Sequence, residues 1–148
     1  MSKKKAEKLR VVLDSNVLIS ALVFGGKPRE ILDLAVKGLI EVAVSDDILE
    51  EVGGVLGGEK FRYPARVVRA LISELEGLGD LVQPEEIVDA VPDDPEDNRV
   101  LECAIASAAS VIVSGDSHLL ALRSFGPIKI VNADEFLRRQ RKNRRRRG

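Results

Sequence analysis

The sequence predicts an α/β protein, a three-layer α/β/α sandwich around a mainly parallel sheet. Short β-branched runs alternate with amphipathic helical patterns along the chain, which implies right-handed crossovers and a sheet covered on both faces. The 148 residues, 45% of them hydrophobic, suffice for one sizeable core and not for two. Val, Leu, Ile and Ala dominate, with four Phe, one Tyr and no Trp, so aliphatic layers should pack on the sheet and little aromatic surface should remain to stack bases.

Val11-Val12-Leu13 reads as a first strand that stops at Asp14. Val17, Leu18, Ala21 and Leu22 then follow a helical period up to Gly25-Gly26. Pro28 suits the first turn of a second helix with Ile31, Leu32 and Ala35 on one face and Gly38 past its end. Glu41 to Val44 reads as a strand, and Ser45 is placed to cap a helix with the stripe Ile48, Leu49, Val52, Val55 and Leu56, stopped at Gly57-Gly58. Another amphipathic helix carries Val67, Val68, Leu71, Ile72 and Leu75, followed by a short strand at Leu81-Val82 and an acidic loop from Pro84 to Pro95. Asn98 to about Ala109 is helical, Val111 to Val113 a strand, Leu119 to Leu122 a helix stopped by Gly126-Pro127, and Ile128 to Val131 a last strand before a helix starting near Asp134. In such sheets ligands bind at the carboxyl ends of the strands, near the point where strand order reverses.

The net charge of −1 hides a segregation. Residues 1–10 carry five bases and one acid, residues 11–137 ten bases and 23 acids, and residues 138–148 eight bases and no acid. These are read as a basic N-terminal segment, an acidic domain, and a basic tail expected to be disordered beyond its first turn. An acidic body is a poor surface for a phosphodiester backbone unless cations or basic appendages compensate. The single Cys103 excludes an internal disulfide and argues against a cysteine-based zinc site, and no apolar run reaches the roughly 18 residues of a membrane span, so a cytoplasmic protein is expected.

Two strands end alike. Val11-Val12-Leu13 runs into Asp14, and Val111-Ile112-Val113 runs through Ser114-Gly115 into Asp116, which brings two acids to the carboxyl edge. Either alone would serve as a helix cap; the coincidence points to a site. At ~100° per residue, Glu51 borders the buried face of its helix while Glu50 points away. On the later helix Asp97 lines up with the core face, either as an N-cap or as an inward carboxylate, and Glu102 falls on the far side. An inward carboxylate costs several kcal/mol, in the range of about 2–7, unless it is paired or binds a cation. Gathered carboxylates repel one another, and a divalent cation relieves that repulsion. Oxygen donors without clustered His or Cys suit Mg²⁺ or Mn²⁺, which would also bridge the site to a phosphate and promote attack on it by water.

The stretches VVLDSNVLISAL, SDDILEEV, DDPEDNRVLECAIASAASVIVSGDSHLL and IVNADEFL, in that order over residues 11 to 137, resemble PIN-domain proteins of the toxin type in prokaryotic toxin–antitoxin systems. The resemblance implies strand order 3-2-1-4-5 and a Mg²⁺- or Mn²⁺-dependent ribonuclease acting on single-stranded RNA. It maps the acidic site onto Asp14, Glu51, Asp97 and Asp116, as both metal ligands and catalytic groups, and it gives Asn16 and Ser114 supporting hydrogen bonds. Relatives frequently carry an aspartate where this chain has His118, a departure that bears on a second metal; His118 reads as a helix-surface residue, with a metal ligand or proton shuttle as the alternative. Asp93 and Asp94 read as part of a solvated acidic loop, with an outer supporting role at the site as the alternative. Members of the family often dimerise and are held inactive by a small antitoxin, so the resemblance implies both partners.

In the tail, Arg138, Arg139, Arg141, Lys142 and Arg144 are candidates to hold RNA phosphates electrostatically, with a disordered solubilising end as the alternative. The competing functional reading is a nucleic-acid-binding or regulatory module with little turnover. A phosphatase of the haloacid dehalogenase type would want an aspartate where Asn16 stands, and a nucleotide-binding enzyme would want a Gly-rich loop with Lys after a strand. DNA remains open as a substrate, since only contacts to the 2′-hydroxyl separate it from RNA.

Overall fold

The computed structural model describes residues 8–91 and 95–147. Strand β1 (Leu9–Leu13) leads into helices α1 (Ser15–Val23) and α2 (Gly26–Val36), then strand β2 (Ile40–Ser45), helices α3 (Asp46–Leu56) and α4 (Ala65–Leu78), and strand β3 (Asp80–Val82). Helix α5 (Pro95–Ser107) precedes strand β4 (Val111–Val113), helix α6 (Ser117–Leu122), strands β5 (Ser124–Phe125) and β6 (Ile128–Val131), and helix α7 (Ala133–Arg147).

The six strands form one sheet in the order β3-β2-β1-β4-β6-β5. All pairs are parallel except β5 with β6. Val11 pairs with Val42 on one side and Val111 on the other. Val11, Val12 and Leu13 are each 0% exposed, so both faces of the central strand are covered, as a parallel sheet requires. Helix α5 packs across β1 to β4, while α2 packs on β2 and against α7. The handedness rule for parallel crossovers puts α2 and α5 on opposite faces. Arg10 ties the sheet across strands, donating to Glu41 at 3.3 Å, Asp80 at 2.8 Å and the Ser107 carbonyl at 3.1 Å. Among the described residues no helix is long and apolar enough to cross a membrane.

The expected order 3-2-1-4-5 is corrected by one insertion. A two-residue antiparallel strand, Ser124–Phe125, precedes the last parallel strand and lies outside it at the edge. Arg123 at φ 63° ends α6, and Gly126 at φ 59° makes the reversal, so Gly126-Pro127 forms a hairpin turn and not the stop of a helix. Helix α5 begins at Pro95, three residues before the expected start, with proline at the first helical position where its missing N–H costs nothing. Helix α7 continues to Arg147, well past the first turn of the tail, and the i,i+4 pairs Arg138–Asp134 and Arg139–Glu135 brace its start. Residues 1–7, and with them most of the basic N-terminal segment, lie outside the described residues, as do Asp93, Asp94 and Gly148.

Candidate active site

Both strand-end aspartates cap the helix that follows. Asp14 accepts the Val17 N–H through Oδ1 at 2.8 Å, and Asp116 accepts those of His118 at 2.8 Å and Leu119 at 3.2 Å. Capping and a functional role are therefore not exclusive here: each cap fixes one carboxylate at the carboxyl edge. β1 and β4 are neighbours, and Ser114 joins the two caps. Its hydroxyl donates a short hydrogen bond to Asp14 Oδ2 and accepts the Asp116 N–H at 2.9 Å. Ser114 is fully buried, and its own N–H is fixed to the Val131 carbonyl at 3.0 Å.

Asp97 arrives from α5. Because α5 starts at Pro95, Asp97 sits inside the first turn and is not its N-cap, and it is buried. The turn is aimed by Asn98, whose side chain grips the Val91 backbone through two 2.8 Å hydrogen bonds, one to the N–H and one from the amide to the carbonyl. Glu102, expected on the far face of this helix, is buried as well: it accepts the Val88 N–H at 2.9 Å and pairs with Arg99 at 3.0 Å. The segment before α5 therefore covers that face. A helical wheel has no means of showing that cover, and neither the Asn98 grip nor the Glu102 latch was foreseen; only the DNRVLECA spacing hints at them.

One ligand atom each from Asp97, Asp116 and His118 lies within 4.8 Å of the others. Asp97 and Asp116 therefore bring two carboxylates close together, and a cation between them would relieve their repulsion. His118 Nδ1 is 3.6 Å from Asp116 Oδ1, and the ring is more than half exposed. It thus belongs to the group while lying exposed on the helix, so the surface and ligand readings of this residue are compatible. Glu51 lies half-buried on α3, outside this three-residue group. Asn16 is exposed in the first turn of α1, and the hydrogen bonds to Asp14 come from Ser114, Val17 and Gly115 instead.

The electrostatics differ between the two caps. Burial pushes the Asp14 pKa up and the Asp116 charge adds to this, while hydrogen bonds from Ser114, Val17 and Gly115 offset only part of the rise. For Asp116 burial also pushes upward, but hydrogen bonds from Asp97 and the Leu119 and His118 amides, with the His118 charge, overcome it and leave the pKa below the usual carboxylate value. Two carboxylates and an imidazole make a donor set for a divalent cation, with Mn²⁺ accommodating the nitrogen more readily than Mg²⁺ does.

The basic candidates all lie on α7. Arg138 and Arg139 pair with Asp134 and Glu135, whereas Arg141, Lys142 and Arg144 are exposed. The helix starts beside the site, since Val131 at the end of β6 receives the Ser114 N–H, and Lys27 of α2 pairs with Asp134 at 2.8 Å.

A family model described as PIN domain matches residues 10–118. An uncharacterised protein of Methanocaldococcus jannaschii is 33% identical over 127 residues, covering 83% of this chain and 81% of its own. Two solved structures share the fold. A chain of VapBC2 from Rickettsia felis, solved bound to a DNA fragment from its promoter, superposes with a TM-score of 0.63 at 14% identity, over 84% of this chain and 98% of the other. A chain of VapBC-1 from nontypeable Haemophilus influenzae gives 0.59 at 14% identity, over 85% and 99%.

Proposed function

Because this chain belongs to the PIN-domain family, we propose that it is a metal-dependent ribonuclease that hydrolyses phosphodiester bonds of single-stranded RNA. The observation that carries the reading is the convergence of Asp97, Asp116 and His118 on one point, with Asp14 joined to them through Ser114. In this reading Asp97, Asp116 and His118 hold Mg²⁺ or Mn²⁺, which when bound neutralises the acidic cluster, attracts the phosphate and acidifies water. Ser114 orients Asp14 by its hydroxyl, so the Asp14 carboxylate keeps one orientation at the strand end. Glu51 on α3 is assigned to the same site as a further carboxylate that holds metal and orients water. Arg141, Lys142 and Arg144 hold flanking phosphates. The protein is assigned as the toxin of a toxin–antitoxin pair, with a small antitoxin and a second copy of the chain as partners; the two VapBC neighbours, both known from complexes, support this at the level of fold.

The test is cleavage of an end-labelled, mixed-sequence single-stranded RNA by wild type and Asp14→Asn, each with Mg²⁺, Mn²⁺ or EDTA. Cleavage only by wild type and only with metal is the expected result, with Mn²⁺ the better ion. Binding of the RNA by both proteins without cleavage under any condition would replace this reading by that of a binding module.

A further inference from the structure

We propose that Phe24, Phe61 and Tyr63 form a platform on which unpaired bases of the substrate strand stack, a few nucleotides from the scissile phosphate. This rests on the nuclease reading above and adds to it a subsite for bases.

The chain has five aromatic residues, and three of them meet at its surface, Phe24 exposed and Phe61 and Tyr63 half-buried against the core. The Phe24 and Phe61 rings lie 6.1 Å apart between centroids and those of Phe61 and Tyr63 5.9 Å, all tilted. Phe24 is 70% exposed, a state that leaves most of a large apolar ring in water. A core residue would be spent otherwise. The turn that brings Phe61 to Phe24 is tightly built: Arg62 adopts φ 54° and donates its N–H to the Gly58 carbonyl at 2.8 Å, and a Cβ on Gly58 would lie 2.9 Å from the Gly54 carbonyl oxygen. A non-glycine residue at positive φ costs about 1–3 kcal/mol, so the surrounding structure over-determines this turn.

Charge identifies the occupant. Lys60 sits over the Phe61 ring at 5.3 Å, and Lys60, Arg62, Arg66 and Arg69 fall in one ten-residue stretch. None of the four enters an ion pair among the described residues; Lys37, Arg123 and Lys129 of the same body share that state but stand apart, so these four make its densest run of such cations. Cations without an acid partner, close in sequence to one exposed ring and two half-buried ones, suit a strand that carries phosphates and flat bases, and stacking is tolerant of sequence because every base has a π-face. The platform is also in reach of the site. Helix α1 starts directly after Asp14 and ends directly before Phe24, and ten residues at 1.5 Å separate them by about 15 Å.

Tyr63 is the only tyrosine and there is no tryptophan, so intrinsic emission reports on this patch alone. The experiment titrates the full chain, in EDTA at low salt, with an oligouridylate of about eight nucleotides and with an abasic oligonucleotide of equal charge, free tyrosine serving as the absorption control. We expect the oligouridylate, and not the abasic strand, to quench Tyr63. Phe24→Ala, whose exposed ring leaves the fold intact, should weaken oligouridylate binding about 10-fold and leave abasic binding unchanged. Lys60→Gln should weaken both. Equal quenching by the two strands, or unchanged oligouridylate affinity in Phe24→Ala, would overturn the platform and leave the patch to a protein partner. RNA cleavage by wild type, assayed separately, keeps the two readings apart: cleavage without base-dependent quenching removes the platform alone, and quenching without cleavage removes the nuclease alone.

Discussion

Asp14 holds a carboxylate where the surroundings penalise its charge. It is 3% exposed, and burial with the neighbouring Asp116 charge raises its pKa in the folded protein above the ~3.9 of an unfolded aspartate. The folded state therefore binds the proton more tightly. Its contribution to stability is fully present below the unfolded pKa and is lost as pH rises through the folded one. At neutral pH without metal the charge is a net cost. Asp14→Asn keeps the helix cap, since asparagine caps as well as aspartate, and removes that cost. In EDTA at pH 7 the variant should be more stable by about 1 kcal/mol, a few degrees in Tm, while its Tm declines less than that of wild type as pH rises from about 4. Thermal melts across pH in EDTA check this; a variant that melts below wild type would make Asp14 a structural cap.

At the scale of elements, α7 separates the site from the basic tail. The helix begins beside Ser114 with two acids, Asp134 and Glu135, and places Arg144 about 15 Å along its axis from Asp134. Those cations lie about two to three turns along the helix from its start, and the proposed function assigns them to flanking RNA. Truncation after Gln140 keeps the Arg138–Asp134 and Arg139–Glu135 pairs and removes the free cations. It should raise KM about 10-fold at low salt, leave kcat within about twofold, and flatten the salt dependence by about 0.7 in log–log slope per lost phosphate contact. An unchanged KM would remove the tail from substrate binding. Helices were also where sequence patterns reached and where they stopped. Asp14 and Asp116 were legible because each ends a β-branched run, and the stripe on α3 was legible from its period. Ser114 needed β1 beside β4 before its hydroxyl had two caps to join. Glu102 was misjudged because the wheel shows one helix and not the segment lying on it. The approach of Asp97 to His118 and the Phe24–Phe61 pair depend on contacts between separate elements, and a single period carries no trace of those.

For the molecule as a whole, the excess of acids in residues 11–137 makes stability sensitive to every cation, and that sensitivity needs to be divided between screening and binding. Monovalent salt screens the repulsion gradually over tens to hundreds of millimolar and acts on any acidic surface. A held ion acts by mass action instead: a cation bound only by the folded state stabilises it by RT ln(1 + [L]/Kd), about 2.7 kcal/mol at one hundred times Kd. Mn²⁺ should therefore raise the Tm of wild type by several degrees, on a saturating curve, against a background of constant ionic strength. Asp97→Asn separates the two effects, because it removes one donor of the Asp97, Asp116 and His118 group and leaves the remaining acidic surface in place. The variant should keep the gradual response to KCl and lose most of the saturable response to Mn²⁺. If Mn²⁺ instead stabilised both proteins alike, the cation would be acting on the body at large, and the three converging side chains would have to be explained without a metal.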